Sequence, residues 1–277
     1  MSHTPHTHVI VPRSGWAPVE LGELWEYREL LYLLVWREVK IRYKQTVLGV
    51  AWAVLQPVLT MVVFSVFFGQ LGGLPSDGYP YPIFAYCALL PWQLFAFGVG
   101  QASESIVLNQ RMITKVYFPR VIMPMASVAV GLVDFAIAFL VLLLLMAWYR
   151  VAPSPAILAV PVLTLIVTAA ALGAGLWLSA LNVTYRDVRH AVPFLIQVWF
   201  FATPVAYATS SVPPAWRMVY ALANPMVGVI DSFRWAILGA GGPPPAALGV
   251  SVLAIAAMLV SGLFYFRRME RRFADVV

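Results

Sequence analysis

Residues 121–148 read VIMPMASVAVGLVDFAIAFLVLLLLMAW, and this stretch decides the fold. It lies between Arg120 and Arg150, and Asp134 is its only charged residue. A membrane-spanning helix needs about 20 consecutive, mostly apolar residues. Because no water satisfies backbone groups inside a bilayer, a stretch of this length predicts a transmembrane α-helix rather than a buried strand.

Five further stretches of similar length contain no charged residue. The whole sequence of 277 residues is 61% hydrophobic and only 11% charged, which is too apolar for a soluble domain. Its single cysteine, Cys87, excludes a disulfide framework and zinc sites built on cysteine pairs, and we expect no metal site. We predict an all-α integral membrane protein with six transmembrane helices, at residues 50–71, 81–103, 121–148, 156–181, 191–208 and 246–266.

The basic residues fall on one side of these spans. The segments that alternate onto one side carry 15 of the 18 Lys and Arg residues, and the other side carries Arg150, Arg217 and Arg234. Cytoplasmic loops are enriched in Lys and Arg, so we expect both termini of this multi-pass membrane protein to lie in the cytoplasm. This distribution also favours a membrane over nucleic acid as the partner of the positive charge.

The segments outside the spans divide the chain further. We predict a flexible N-terminus at 1–19, a cytoplasmic amphipathic helix in the membrane interface at 20–46, a six-helix transmembrane domain at 47–270 and a cytoplasmic tail at 271–277. Between spans 5 and 6, residues 215–238 are too apolar for a free loop and are broken at Asn224-Pro225. Two short re-entrant helices on the outer face fit this pattern.

Motifs of nucleotide binding and hydrolytic catalysis are missing from the sequence. No lysine follows a glycine-rich turn, so the chain has no phosphate-binding loop for ATP. Asp134 is the one acid in the middle of a predicted span, and such a carboxylate is costly. A proton relay would need further ionisable groups, so we favour an Asp134 that is protonated or hydrogen-bonded within the helix bundle.

Four ordered motifs resemble one family. They are RYKQTVLG at 42–49, KVYFPR at 115–120, NVTYRDV at 182–188, and TPV at 203–205 followed by Asn224-Pro225 and Arg234. In this order on six spans, the chain resembles the Wzm-like membrane subunits of ABC exporters of lipid-linked polysaccharides such as O-antigen, teichoic acid and capsule. The resemblance covers about residues 20–270.

The resemblance implies a transport subunit of the bacterial inner membrane rather than an enzyme. This subunit functions in building the cell envelope. It implies a homodimer that binds two copies of a separate ATPase subunit, with ATP and Mg²⁺ held by that partner and no cofactor in this chain. It also implies that an undecaprenyl-diphosphate-linked polysaccharide passes between the two permeases, and that the interfacial helix and the loop after span 2 lie near the ATPase.

Candidate site residues follow from these considerations. Aromatic faces suit the apolar faces of sugars, and we expect a channel lined by Trp199, Phe200, Phe201, Tyr207, Phe64 and Phe68. We expect the lipid head to arrive at Arg37, Lys40, Arg42 and Lys44. The ATPase is expected to dock on Glu104, Asn109, Gln110, Arg111 and Lys115. An outer gate is expected at Asn224, Pro225, Asp231 and Arg234, with the last two spaced to pair on one helix.

Other functions stay open from the sequence alone. Some of the aromatic residues can equally serve as lipid-facing packing, and the four basic residues can simply anchor the helix. The alternatives for the whole chain are a permease for drugs or small lipids, a membrane transferase that acts on polyprenyl phosphate, and a proton-coupled transporter.

Overall fold

The computed structural model describes residues 21–44, 49–240, 242 and 245–276. This part of the chain is built from helices joined by turns. The helices are Leu21–Glu26 (α1), Arg28–Lys44 (α2), Gly49–Phe64 (α3), Tyr81–Leu108 (α4), Gln110–Ile113 (α5), Ile122–Trp148 (α6), Val160–Thr184 (α7), Val188–Phe201 (α8), Pro214–Ala223 (α9), Met226–Leu238 (α10) and Pro245–Val276 (α11).

Five helices in the described ranges are long and apolar enough to cross a membrane: Ala51–Leu71, Tyr81–Leu108, Ile122–Trp148, Pro155–Thr184 and Ala246–Glu270. The first of them changes to π-helical geometry at Ser65–Leu71, and the fourth begins with a 3₁₀ turn at Pro155–Ala159. The prediction of an all-helical membrane protein is confirmed.

The fifth predicted span, 191–208, differs from the structure. Its helix, α8, begins at Val188 and ends at Phe201, and turns follow it. At 1.5 Å per residue a 14-residue helix is about 21 Å long, which is shorter than the roughly 30 Å hydrocarbon core. The local cause is Pro204, because proline has no N–H to donate and disfavours helical geometry at Thr203 before it.

Helix α4 lies at the centre of the fold. It packs against α6 and α7, and most of its first half is buried. Small residues allow the close approach to α7: an added Cβ at Gly175 would lie 2.5 Å from the Cβ of Ala102, and one at Gly98 would lie 2.8 Å from that of Ala171. Helix α11 packs on the other side of α7. Small residues at such crossings are typical of membrane helices.

The predicted interfacial helix is present, but it is interrupted near Tyr27 and forms α1 and α2. Leu34 is buried against the core, whereas Trp25, Tyr32 and Trp36 point away from the protein. An aromatic face of this kind suits the headgroup depth of a bilayer. The predicted flexible segment 1–19, most of RYKQTVLG after Lys44, and the last residue of the predicted tail lie outside the described residues.

Candidate functional site

The segments predicted on the basic side of the membrane meet at one end of the bundle. Arg267 near the end of α11 lies 3.3 Å from Glu23 of α1, and Arg120 donates its backbone N–H to Glu270 at 3.1 Å. At the opposite end, the Ser210 hydroxyl donates to Asp77 at 3.0 Å. The two groups of loops therefore occupy the two ends of the helices, as the charge pattern predicts.

The expected ATPase-docking residues lie at the basic end, at the junction of α4 and α5. Glu104 is in the last turns of α4 and lies 3.4 Å from Arg189, which begins α8. Asn109 ends α4 and donates to the Ser105 carbonyl at 2.8 Å. Further along, Gln110 begins the four-residue helix α5, while Arg111 and Lys115 are exposed. The segment thus combines two anchored residues with two exposed cations.

The four basic residues expected at the lipid head divide into two groups. Lys40 and Lys44 are exposed on α2, and Lys40 lies over the ring of Trp36. Arg37 and Arg42 are exposed as well, but each of them contacts a residue outside α2. The guanidinium of Arg37 donates to the side-chain oxygen of Asn109 at 3.1 Å. This contact connects the interfacial helix directly to the end of α4.

Arg42 forms an ion pair with the one acid in the middle of a span. Its Nη2 lies 2.8 Å from Oδ2 of Asp134, and its guanidinium lies 4.5 Å from the ring centre of Phe97. The hydroxyl of Tyr43 donates to Oδ1 of the same carboxylate. The expectation that Asp134 is hydrogen-bonded is confirmed. Its partners could not be read from the sequence, because they lie about ninety residues away in the chain.

The aromatic residues expected to line a channel fall into three environments. Phe64 and Phe200 are 5.6 Å apart between ring centres, and Phe68 packs edge-on against Phe64 at 5.1 Å. The three join α3 to α8 in one cluster. Phe201 is exposed on α8, and the Tyr207 hydroxyl lies 2.7 Å from that of Tyr220 on α9.

Trp199 and Asn224 stabilise the C-terminal end of α8. The Trp199 indole N–H donates to Oδ1 of Asn224 at 2.9 Å, and the Asn224 amide donates to the Ala202 carbonyl at 3.0 Å and to the Thr203 hydroxyl at 2.8 Å. Oδ1 of Asn224 also accepts from the Met226 N–H at 3.1 Å and so starts α10. Exposed carbonyls at a helix end need such partners where water is scarce.

Arg234 and Tyr81 donate hydrogen bonds to backbone carbonyls in the turn that follows α8. Arg234 is only 3% exposed, lies 3.7 Å from the ring centre of Phe84 and donates to the Val205 carbonyl at 3.0 Å. The Tyr81 hydroxyl donates to the Ala206 carbonyl at 2.5 Å. The turn after α8 is therefore supported by side chains from α4 and α10.

The predicted pairing of Asp231 with Arg234 is confirmed at the limit of an ion pair, with 4.0 Å between Nη1 and Oδ1. Asp231 also accepts a hydrogen bond from the Thr209 hydroxyl at 2.8 Å. Burial raises the pKa of Asp231, although this bond and the positive charge of Arg234 act in the opposite direction. Most of α10 is buried within the chain, whereas Pro225 is only half-buried at its start. The exposed apolar residues of the outer segment are on α9.

A cavity of about 380 Å³ opens between α2, α3, α4, α6 and α8. Its walls combine the charged pair Arg42 and Asp134 with amide side chains and aromatic rings. Trp52, Trp92 and Phe97 also line it, and the lining residues that reasoning from sequence did not single out include Gln56, Thr60 and Gln93. Gln56 and Gln93 are polar residues within charge-free spans, and that is the signal that could have identified them.

Comparison with known proteins agrees with this architecture. A family model described as ABC-2 type transporter matches residues 29–238. The chain is 34% identical over 254 residues to an O-antigen export system permease protein of Myxococcus xanthus, a match that covers 90% of this chain and 96% of that protein. It is 26% identical to the O-antigen export system permease of Klebsiella pneumoniae, which covers 90% of this chain and 95% of that protein.

A more distant relative is the polysialic acid transport protein KpsM of Escherichia coli. The identity is 24% over 244 residues, which cover 85% of this chain and 89% of that protein. The matches therefore extend over nearly the whole length of each protein.

Proposed function

Because the chain belongs to the ABC-2 type transporter family of membrane proteins, we propose that it is the permease subunit of an ATP-driven exporter of lipid-linked polysaccharide. The observation that carries this proposal is the match to an O-antigen export permease over 96% of that protein's length. The substrate is a glycan on a polyprenyl diphosphate, moved outward across the bacterial inner membrane with both termini in the cytoplasm.

An ABC ATPase subunit supplies the energy, since the chain itself has no phosphate-binding loop. ATP and Mg²⁺ belong to that subunit. The proposed docking segment runs from Glu104 to Lys115, at the end where the basic segments gather. Arg111 and Lys115 are exposed there and available to acidic groups on the ATPase, while Asn109 joins the segment to Arg37 of the interfacial helix.

The conduit is proposed to form between two copies of the chain. Helices α3 and α8 contact few other elements and expose large apolar side chains, among them Leu59, Phe67, Phe194 and Phe201. A two-fold dimer covers the same surface on both copies. In this arrangement Trp199 and Phe201 line the passage, and the cluster of Phe64, Phe68 and Phe200 forms the wall behind them.

The outer gate is proposed at α9 and the start of α10. Asn224 and Pro225 form the joint between the two helices, and Asp231 with Arg234 fixes α10 to the turn after α8. Because α10 is buried in its own chain, α9 is the element with a free apolar surface to close over the passage. The free surface of α9 includes Trp216, Val219 and Leu222.

The test is export in cells. In a bacterium that lacks its O-antigen permease, this chain expressed with its ABC ATPase subunit should restore surface polysaccharide. Restoration should fail when the ATPase cannot hydrolyse ATP. A permease for drugs or small lipids would leave the polysaccharide inside while conferring efflux of those compounds. Glycosyl transfer by the purified chain alone would indicate a transferase instead.

A further inference from the structure

The anion that pairs with Arg42 in this structure is the side chain of Asp134. The ion pair with Asp134 joins the last residues of α2 to the thirteenth residue of α6. Both side chains retain solvent exposure, 41% for Arg42 and 20% for Asp134, and both line the cavity between α2, α3, α4, α6 and α8. The pair can therefore be reached from the cavity by another anion.

The guanidinium remains well supported without Asp134. The ring of Phe97 lies 4.5 Å from it, which is within the range of a cation–π contact. Arginine presents a planar fork of N–H donors that fits phosphate oxygens as well as carboxylate oxygens. A diphosphate carries more charge than one carboxylate and can compete for the same donors.

Asp134 would also remain hydrogen-bonded if Arg42 changed partners. The Tyr43 hydroxyl donates to its Oδ1, on the opposite oxygen from the one that Arg42 contacts. Burial, followed by the hydrogen bond to Asp134, raises the pKa of Tyr43 to about 12, so the hydroxyl keeps its proton at neutral pH. A buried carboxylate without any partner would be costly, and Tyr43 avoids that cost.

We propose that Asp134 is a resident counter-ion that a polyprenyl diphosphate replaces at Arg42, and that this exchange loosens the attachment of α2 to α6 by removing the ion pair and leaving the Tyr43 hydrogen bond. The proposal rests on the proposed function and adds to it the means by which arrival of the lipid is sensed. The end of α2 is loosened by the loss of its ion pair, while Arg37 keeps the same helix in contact with Asn109 at the end of α4. Substrate binding would thus change the docking segment of the ATPase through α2.

The cavity supplies further groups that suit this ligand. Amide side chains of Gln56 and Gln93 line it and can donate to phosphate oxygens. The indole rings of Trp52 and Trp92 offer both apolar faces and N–H donors. This chemistry distinguishes the cavity from the exposed aromatic surface of α8 at residues 194–201, which contains no cationic side chain.

The test measures binding of farnesyl diphosphate, a short polyprenyl diphosphate, to the permease and its ATPase in lipid nanodiscs. Asp134→Asn should tighten binding by about fivefold, the scale of one half-exposed charged hydrogen bond, because the competing anion is gone. Arg42→Gln should weaken binding by at least that factor. Arg28→Gln, which removes an exposed cation from the same helix, should leave binding unchanged.

Hydrogen exchange of residues 36–44 gives a second measurement. Farnesyl diphosphate should speed exchange in this segment of the natural protein, whereas Asp134→Asn should exchange fast with or without the ligand. Asp134→Glu keeps the charge and should behave as the natural protein does, which separates loss of the counter-ion from a folding defect.

Binding that is unchanged or weaker in Asp134→Asn would overturn the proposal, as would exchange that does not respond to the ligand. If inorganic pyrophosphate binds as tightly as farnesyl diphosphate, the ligand need not be a lipid and that assignment is overturned. If farnesol binds as tightly as farnesyl diphosphate, the role of the diphosphate is overturned. None of these outcomes changes whether the natural chain exports polysaccharide in cells. The export assay therefore tests the proposed function separately from this proposal.

Discussion

The indole of Trp199, near the end of α8, donates a 2.9 Å hydrogen bond to Oδ1 of Asn224, which separates α9 from α10. The same Asn224 amide donates to Ala202 and Thr203, so one side chain fastens the end of a short membrane helix to the two helices that follow it. A helix of 14 residues cannot span the bilayer alone, and this contact explains how its open end is stabilised.

Asn224→Ala should therefore destabilise the protein strongly. The change removes the acceptor of the Trp199 indole and of the buried Met226 N–H, and a buried group left unsatisfied costs about 1–3 kcal/mol. We expect a clear fall in the thermal unfolding temperature of the purified protein in detergent. The matched control is Gln197→Ala, an exposed amide on α8 that should change the midpoint little. Equal midpoints for the two variants would contradict the role of Asn224.

Arg234→Lys should also destabilise the protein, although it preserves the charge. A lysine cannot span the carbonyls of Val205 and Tyr207, which Arg234 contacts at 3.0 Å and 3.3 Å. Arg217→Lys is the control, since Arg217 also donates to two carbonyls but is exposed to solvent. The measurement is thermal unfolding in detergent, and we expect a fall for Arg234→Lys that is several times larger than that for Arg217→Lys.

Gly228→Ala should disrupt the packing of α10 on α11. An added Cβ would lie 2.5 Å from the backbone oxygen of Ala247, and a backbone atom cannot move aside easily. Overpacking of this kind typically costs about 1–3 kcal/mol. Gly249→Ala is the control because nothing lies within 4 Å of its added Cβ, and the intrinsic preference of alanine for helix should make it neutral or stabilising. Detergent-solubilised yield and unfolding midpoint report the difference.

Reversal of the charge at Arg111 should weaken coupling to the ATPase. Arg111→Glu replaces an exposed cation at the basic end with an anion, and we expect ATP hydrolysis stimulated by the polysaccharide to fall severalfold while the permease dimer stays intact. Arg150→Glu makes the same change at an exposed position at the other end and should have no effect on hydrolysis. Full export with Arg111→Glu would argue against docking at this segment.

Cysteine crosslinking should place α9 at the outer gate. With Cys87 replaced, a cysteine at Val219 or Leu222 is expected to crosslink between the two copies when the passage is empty and to lose this crosslink when a glycan is trapped in it. A cysteine at Phe233 should not crosslink in either state, because its side chain is buried in its own chain. If crosslinking at Val219 is the same with and without a trapped glycan, α9 has a packing role and is not a gate.

The sequence by itself determined the five long apolar helices that the structure describes and the grouping of their loops at two ends. Charge-free stretches of more than twenty residues leave the backbone no choice but helix in a bilayer, and this depends only on local composition. Asn224-Pro225 marked the break between α9 and α10 for an equally local reason, the restriction that proline places on the residue before it. The four ordered motifs were enough to indicate the family.

The tertiary structure alone decided which polar groups meet. Arg42 looked like one of four equivalent cations, and only the packing of α2 on α6 brought it to Asp134. Arg234 looked like a gate residue at a surface, yet its guanidinium is buried and satisfies carbonyls that the end of α8 leaves open. Asp134 is separated from Arg42 by tens of residues, as are the carbonyls of Val205 and Tyr207 from Arg234, so composition and periodicity carry no information about these contacts. A buried charge needs a partner because its own burial is costly. Which residue becomes that partner depends on the tertiary structure.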